Sequence, residues 1–137
     1  MENKGIKNLA ELIYDPEDDL FLSKQAAIGV ARRFYKKLDE NAEKFVSFYE
    51  SNKDETDKLL EKYMELTSMQ NVSNLLYSLM DKKAMQSLIY KILLNVESDL
   101  RKNSYDLKKV YKEADKKIKR NYRNLYKSLL SGIGSKP

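Results

Sequence analysis

In segments from Ile6 to Leu129 apolar residues recur every three or four positions, broken by polar stretches such as Glu50–Lys58, and no stretch alternates apolar and polar residues with a period of two. A period near 3.6 gathers apolar side chains on one face of a helix, whereas a half-buried strand needs period two, so the pattern restricts this chain to amphipathic helices. Only 4 Gly and 2 Pro punctuate it. At 137 residues, 42% of them hydrophobic, the chain can bury one core without disulfides or metals and is too apolar for a disordered polymer. The expected fold is all-α, a single-domain helical bundle of five or six helices over residues 1–137 with a long basic C-terminal helix.

Local signals place the elements. Residues 4–13 carry Ile6, Leu9, Leu12 and Ile13 on one side and stop before Pro16, because the residue preceding a proline is pushed out of the helical region. Asp15-Pro16-Glu17-Asp18-Asp19 reads as a solvated turn whose acids lack calcium-loop spacing. Ser23 fits an N-cap for a helix bearing Ala27, Ala31, Phe34 and Leu38. Ala42, Phe45 and Tyr49 continue that stripe almost in phase, so one long helix to about Glu50 is expected. Gly29 inside it would mark the close approach of a neighbouring helix, since an interior Gly costs about 1 kcal/mol relative to Ala.

A loop at Ser51–Asp54, with Asp54 as cap, then leads to a helix burying Leu59, Leu60, Tyr63 and Leu66. After a break within Thr67–Asn71, a short helix should point Val72, Leu75, Leu76 and Leu79 inward, and Lys82-Lys83 should link it to the next. That next helix, with Met85, Leu88, Ile89, Ile92, Leu93 and Val96, is apolar nearly all round and belongs at the centre. Ser104 is the expected cap of the last helix, running to about Leu130 before Gly132 and Gly134 stop it, roughly 40 Å at 1.5 Å per residue.

The inventory of side chains excludes several chemistries. There is no Cys and no His, which removes thiolate metal sites, disulfides, cysteine nucleophiles and every role of imidazole as base or ligand. No SxxK spacing and no phosphate-binding glycine loop is present. Glu40 with Glu43, and Glu61 with Glu65, have spacings that could hold a divalent cation, but Lys44, Lys58 and Lys62 beside them make surface ion pairs the simpler account. No cofactor, no metal and no enzymatic activity are expected. No stretch has the apolar core of a secretory signal or a membrane span, so a cytoplasmic location without membrane insertion is expected.

The remaining information is in the charge. Residues 1–100 carry 14 Lys/Arg against 18 Asp/Glu, whereas residues 101–137 carry 12 against 3. A mildly acidic body with a strongly basic terminal segment points to a polyanionic partner. Projected at 100° per residue, Leu107, Tyr111, Ala114, Ile118, Tyr122, Leu125 and Leu129 form a packing face on the last helix. Lys109, Lys112, Lys116, Arg120, Arg123 and Lys127 form a stripe on the other side, near which Glu113 is the one acid, with Asn121, Asn124 and Tyr126 flanking it. Arg32, Arg33, Lys36 and Lys37 make a smaller cluster, which would join the stripe in one groove if the two helices pack side by side.

These features suggest a non-enzymatic nucleic-acid-binding protein, a small structural or accessory subunit of a nucleoprotein assembly, whose terminal helix follows phosphates and whose body contacts a protein partner or further copies of itself. DNA and RNA are not distinguished. The alternative is a helical protein–protein interaction module, an inhibitor, immunity or assembly factor, with no nucleic-acid contact. In that case the lysines are simply a solvated helix surface. A basic amphipathic helix on a membrane ranks third, because its apolar face should be needed by the core.

Overall fold

The computed structural model describes residues 3–17 and 22–134. Asp18 and Asp19 of the acidic turn, and the side chains of Val72 and Leu75, lie outside the described residues. Within them are seven helices and no strand: α1 (Lys4–Ile13), α2 (Lys24–Leu38), α3 (Glu40–Ser51), α4 (Lys53–Gln70), α5 (Val72–Met80), α6 (Lys82–Lys102) and α7 (Leu107–Gly134). The all-α bundle is as expected, and its helix count is slightly higher.

The extra helix comes from Asp39. The long helix expected over residues 23–50 is two, because Asp39 sits at φ 49° and ψ −114°, outside any helix. Its N–H donates to the Tyr35 carbonyl, closing α2, and its own carbonyl accepts from Ala42 and Glu43, opening α3. The single-residue break lets α3 fold against both α1 and α2. Ala42, Phe45 and Tyr49 stay buried on the same core as Ala27, Ala31 and Phe34, so the continuous apolar stripe reported continuous burial rather than a continuous axis. The Phe34 and Phe45 ring centroids are 5.2 Å apart, and Tyr49 meets Phe45 edge-on at 5.9 Å.

Other boundaries also moved. Asn52, not a loop ending at Asp54, separates α3 from α4, with Asp54 and Glu55 in the first turn of α4. Asp81, rather than Lys82-Lys83, is the link before α6 and caps it by accepting from the N–H groups of Lys83 and Ala84. Ser104 does not cap α7, since it and Tyr105 turn at φ 54° and 58°. Asp106 takes that role, accepting from Lys109 N–H. The cost of a bulky residue at positive φ is offset by packing: the Tyr105 ring lies 5.0 Å from Phe48, with the Lys44 ammonium 4.8 Å above it. Gly132 does not end α7, which is helical through Gly134.

As expected, α6 is central, packing against α2, α4, α5 and α7. Met85, Leu88, Ile92, Leu93, Val96 and Leu100 are buried on it. Glu97, 0% exposed, joins this surface paired with Arg101, whose guanidinium donates to one carboxylate oxygen at 3.2 Å and lies 3.0 Å from the other, which accepts no hydrogen bond among the described residues. Two phenols tie the layers together: Tyr49 of α3 donates to Asp57 of α4, and Tyr63 of α4 donates to Asp99 of α6 at 2.5 Å. The inward assignment on α5 fails. Leu76 and Leu79 of α5 are more than half exposed, beside Tyr77 and Met80.

The glycines reverse their expected roles. A Cβ on Gly29 would meet nothing within 4 Å, whereas one on Gly5 would lie 2.0 Å from the Tyr35 hydroxyl, so Gly5 is the site of close approach, between α1 and α2. Gly5→Ala is expected to lower unfolding free energy by about 1–3 kcal/mol through overpacking, and by less in a Tyr35→Phe background. Gly29→Ala should raise it by about 0.5–1 kcal/mol. Urea denaturation followed by circular dichroism reads both.

Burial, and then the hydrogen bonds to Asp57 and Asp99, push the phenols of Tyr49 and Tyr63 far above the ordinary tyrosine value of 10.0. An unfolded phenol ionises near 10, so the stabilisation is fully present below that pH and is lost as pH rises towards the folded values. The urea midpoint should therefore drop steeply above about pH 10, and Tyr63→Phe should flatten that drop while lowering the midpoint at neutral pH.

Candidate nucleic-acid interface

α7 is one helix in two environments. In its first half Val110, Ala114 and Ile118 are buried and Leu107 and Tyr111 are partly buried against the core. This half lies along α4, and side chains couple the two: Lys62 reaches Asp115 at 3.2 Å, and the Tyr122 hydroxyl donates to Glu65 at 3.1 Å. The Lys62 ammonium also lies 5.6 Å from the Tyr111 ring centroid. Since α4 positions 62 and 65 meet α7 positions 115 and 122, the two helices run parallel. Lys119, 3.0 Å away, shares the Asp115 carboxylate. Hydrogen bonds from Lys119 and Lys62 hold that carboxyl below its usual range.

From Tyr122, the last residue of this seam, onward the packing face expected on the sequence is not covered. Tyr122, Leu125 and Leu129, placed on that face, are 52–59% exposed, and so are their neighbours Tyr126 and Leu130 at 63% and 50%. Val110, absent from the expected face, is buried instead. The face drifts because a straight helix with 3.6 residues per turn presents a rotating sector to a partner that ends, as α4 does, at Gln70.

The stripe Lys109, Lys112, Lys116, Arg120, Arg123 and Lys127 is exposed along its whole length. Among the described residues none of the six forms an ion pair. They fall within about 80° of one another around the helix and extend about 27 Å along it, on the side away from Val110, Ala114 and Ile118. Its first member is the least free of acids: Lys109 shares a shallow depression with Asp99 and Glu113. From residue 116 onward the chain has no Asp or Glu, so the field of the later cations is undiluted by their own helix.

The smaller cluster stands apart. Arg32, Arg33, Lys36 and Lys37 are exposed on α2, but α2 packs on α1, α3 and α6, while α7 packs on α4 and α6. The two clusters therefore do not line one helix–helix groove. Arg33 stacks on the Tyr90 ring of α6, its guanidinium carbon 4.2 Å from the centroid. Arg32 and Lys36 line a depression with Asp39, Glu40 and Glu43, where neighbouring acids neutralise much of their field. No helix of the described residues is long and apolar enough to cross a membrane, and no group of three or more acids among them converges as a metal site.

The two halves of α7 should differ in energetic weight. Ile118→Ala is expected to cost about 2–4 kcal/mol, as for other buried aliphatic truncations, whereas Leu129→Ala should stay within about 0.5 kcal/mol of the parent. Chemical denaturation of the two variants checks this. No protein-family model, no curated protein and no solved structure matches the chain.

Proposed function

We propose that this protein is a non-enzymatic nucleic-acid-binding protein, a small structural or accessory subunit of a nucleoprotein assembly, whose α7 lies along a phosphate backbone. One observation carries the reading. Six cations are aligned on one face of a long helix, exposed and without ion-pair partners among the described residues, while the acid nearest the seam, Asp115, is occupied by Lys62 and Lys119.

The physics is counterion release. Duplex DNA carries one charge per about 1.7 Å of its axis, and each phosphate neutralised by a lysine or arginine frees condensed cations, so affinity falls with a log–log salt slope of about −0.9 per contact. A straight cationic edge reads this charge without reading bases, because it presents no fork of donors shaped to a base pair. Asn121, Asn124 and Tyr126 flank the stripe and supply hydrogen-bonding or stacking groups for a single strand. The α2 cluster contributes less, since Arg33 is engaged by Tyr90 and Arg32 and Lys36 lie beside acids.

Fluorescence anisotropy with labelled single- and double-stranded DNA and RNA tests the proposal. With most of the six cations engaged, affinity for duplex DNA should fall about a thousandfold between 50 and 200 mM salt. Changing Lys116, Arg120 and Arg123 together to Glu should cost at least about a hundredfold at low salt. Absence of binding to every probe at 50 mM salt would sink the reading and leave the alternative, a module that docks on another protein.

A further inference from the structure

Apart from Tyr126, the apolar side of the last turns of α7 does nothing for a phosphate track, and its setting points to a different ligand. Tyr122, Leu125, Tyr126, Leu129 and Leu130 occupy one sector of the last turns, each at least half exposed. Lys119, Arg123 and Lys127 border that sector, Arg120 stands behind them, and Asn121, Asn124, Ser128 and Ser131 complete the circumference. From Tyr122 to Gly134 the helix extends about 20 Å, cationic, amphipathic and free of acids.

A second patch has the same composition at the same end of the bundle. Tyr122 bonds Glu65 near the C-terminus of α4. α5 begins one residue after α4 ends, and its nine residues extend only about 13 Å. On α5, Leu76, Tyr77 and Leu79 are more than half exposed and Met80 is 88% exposed. Exposed Lys82 and Lys83 follow, and the intervening Asp81 is occupied as the α6 cap.

We infer that this end of the molecule docks on an anionic lipid surface, with the α7 overhang lying in the headgroup region and α5 beside it. The charge selects an anionic occupant. A second copy pairing through α7 in the antiparallel two-fold manner would bring both cationic borders to the same side of the contact, where they repel. An acidic protein would have to match apolar patches on two helices that pack little on each other, whereas a bilayer accepts both: leucines and Met80 enter the acyl boundary, tyrosine rings sit at the headgroup level, and lysines and arginines meet lipid phosphates. Neither helix crosses the membrane. Sequence alone ranked a membrane role low because the core should need this face, and the core uses only its first half.

Vesicle flotation of the full chain tests the inference, with phosphatidylcholine vesicles against vesicles that also contain phosphatidylglycerol. Binding to the anionic vesicles alone is expected. The pair Leu125→Gln and Leu129→Gln should lower the bound fraction by about tenfold or more with unchanged circular dichroism and unchanged nucleic-acid affinity, whereas Lys119→Gln with Arg123→Gln should weaken binding to both. The chain has no Trp, so Leu129→Trp supplies a single reporter whose emission should shift to the blue on anionic vesicles. The inference is overturned if the folded chain ignores anionic vesicles, or if the double Gln variant binds them as the parent does. It is equally overturned if light scattering shows a dimer that the double Gln variant dissociates and that vesicles leave intact, since the occupant is then a second copy.

Discussion

The bundle depends on the burial of α6. Its apolar residues lie on most of its circumference, and α2, α4, α5 and α7 each cover a part. A helix of that kind has no stable state in water alone, so its neighbours are positioned by the sector of α6 they close. Glu97 shows how strong the constraint is. A carboxylate at a fully buried position is tolerated because Arg101, one turn later on the same helix, pairs with its charge while keeping its own side chain half in solvent. The Tyr49–Asp57 and Tyr63–Asp99 bonds then fasten α3 and α6 to α4 with polar groups at the core's margin.

Once α6 and α4 are in place, the environment of α7 follows. Its first turns complete the core, the seam of Lys62, Asp115, Lys119, Glu65 and Tyr122 sets its direction along α4, and α4 ends before α7 does. Charge and shape therefore separate along one helix. Asp115 is consumed at the seam, Glu113 is the acid left beside the stripe, and the region past the seam presents cations and apolar side chains to solvent together. The nucleic-acid reading uses the cationic edge along the whole helix, the lipid reading adds the apolar sector of its last turns, and the two share Arg123 and Lys127 but differ in the leucines.

The division between legible and illegible features has physical causes. Periodicity identified Leu9, Phe34, Phe45, Leu59, Leu93 and Ile118 as buried, because a repeat of 3.6 reports burial directly. It misjudged Leu76, Leu79, Leu125 and Leu129, because an apolar side chain records a propensity to be covered and not the presence of a cover. It read residues 23–50 as one helix because a one-residue break at Asp39 scarcely changes the phase of the stripe. Gly29 and Gly5 were likewise indistinguishable in a list of residues, since only the neighbour's position, here the Tyr35 ring, decides which glycine is needed.

By itself, then, the sequence determined the all-α class, the central place of the helix around Leu88–Val96, the absence of thiol and imidazole chemistry, and the segregation of positive charge after residue 100. These are properties of side-chain period and inventory, which survive any arrangement in space. The tertiary structure alone decided that α2 and α7 do not share a groove, that Asp115 is spent on Lys62 and Lys119, and that half of α7's apolar face is left uncovered by the described residues. Each of these depends on where one helix ends relative to another, and that is settled by packing between distant segments rather than by the order of residues within one.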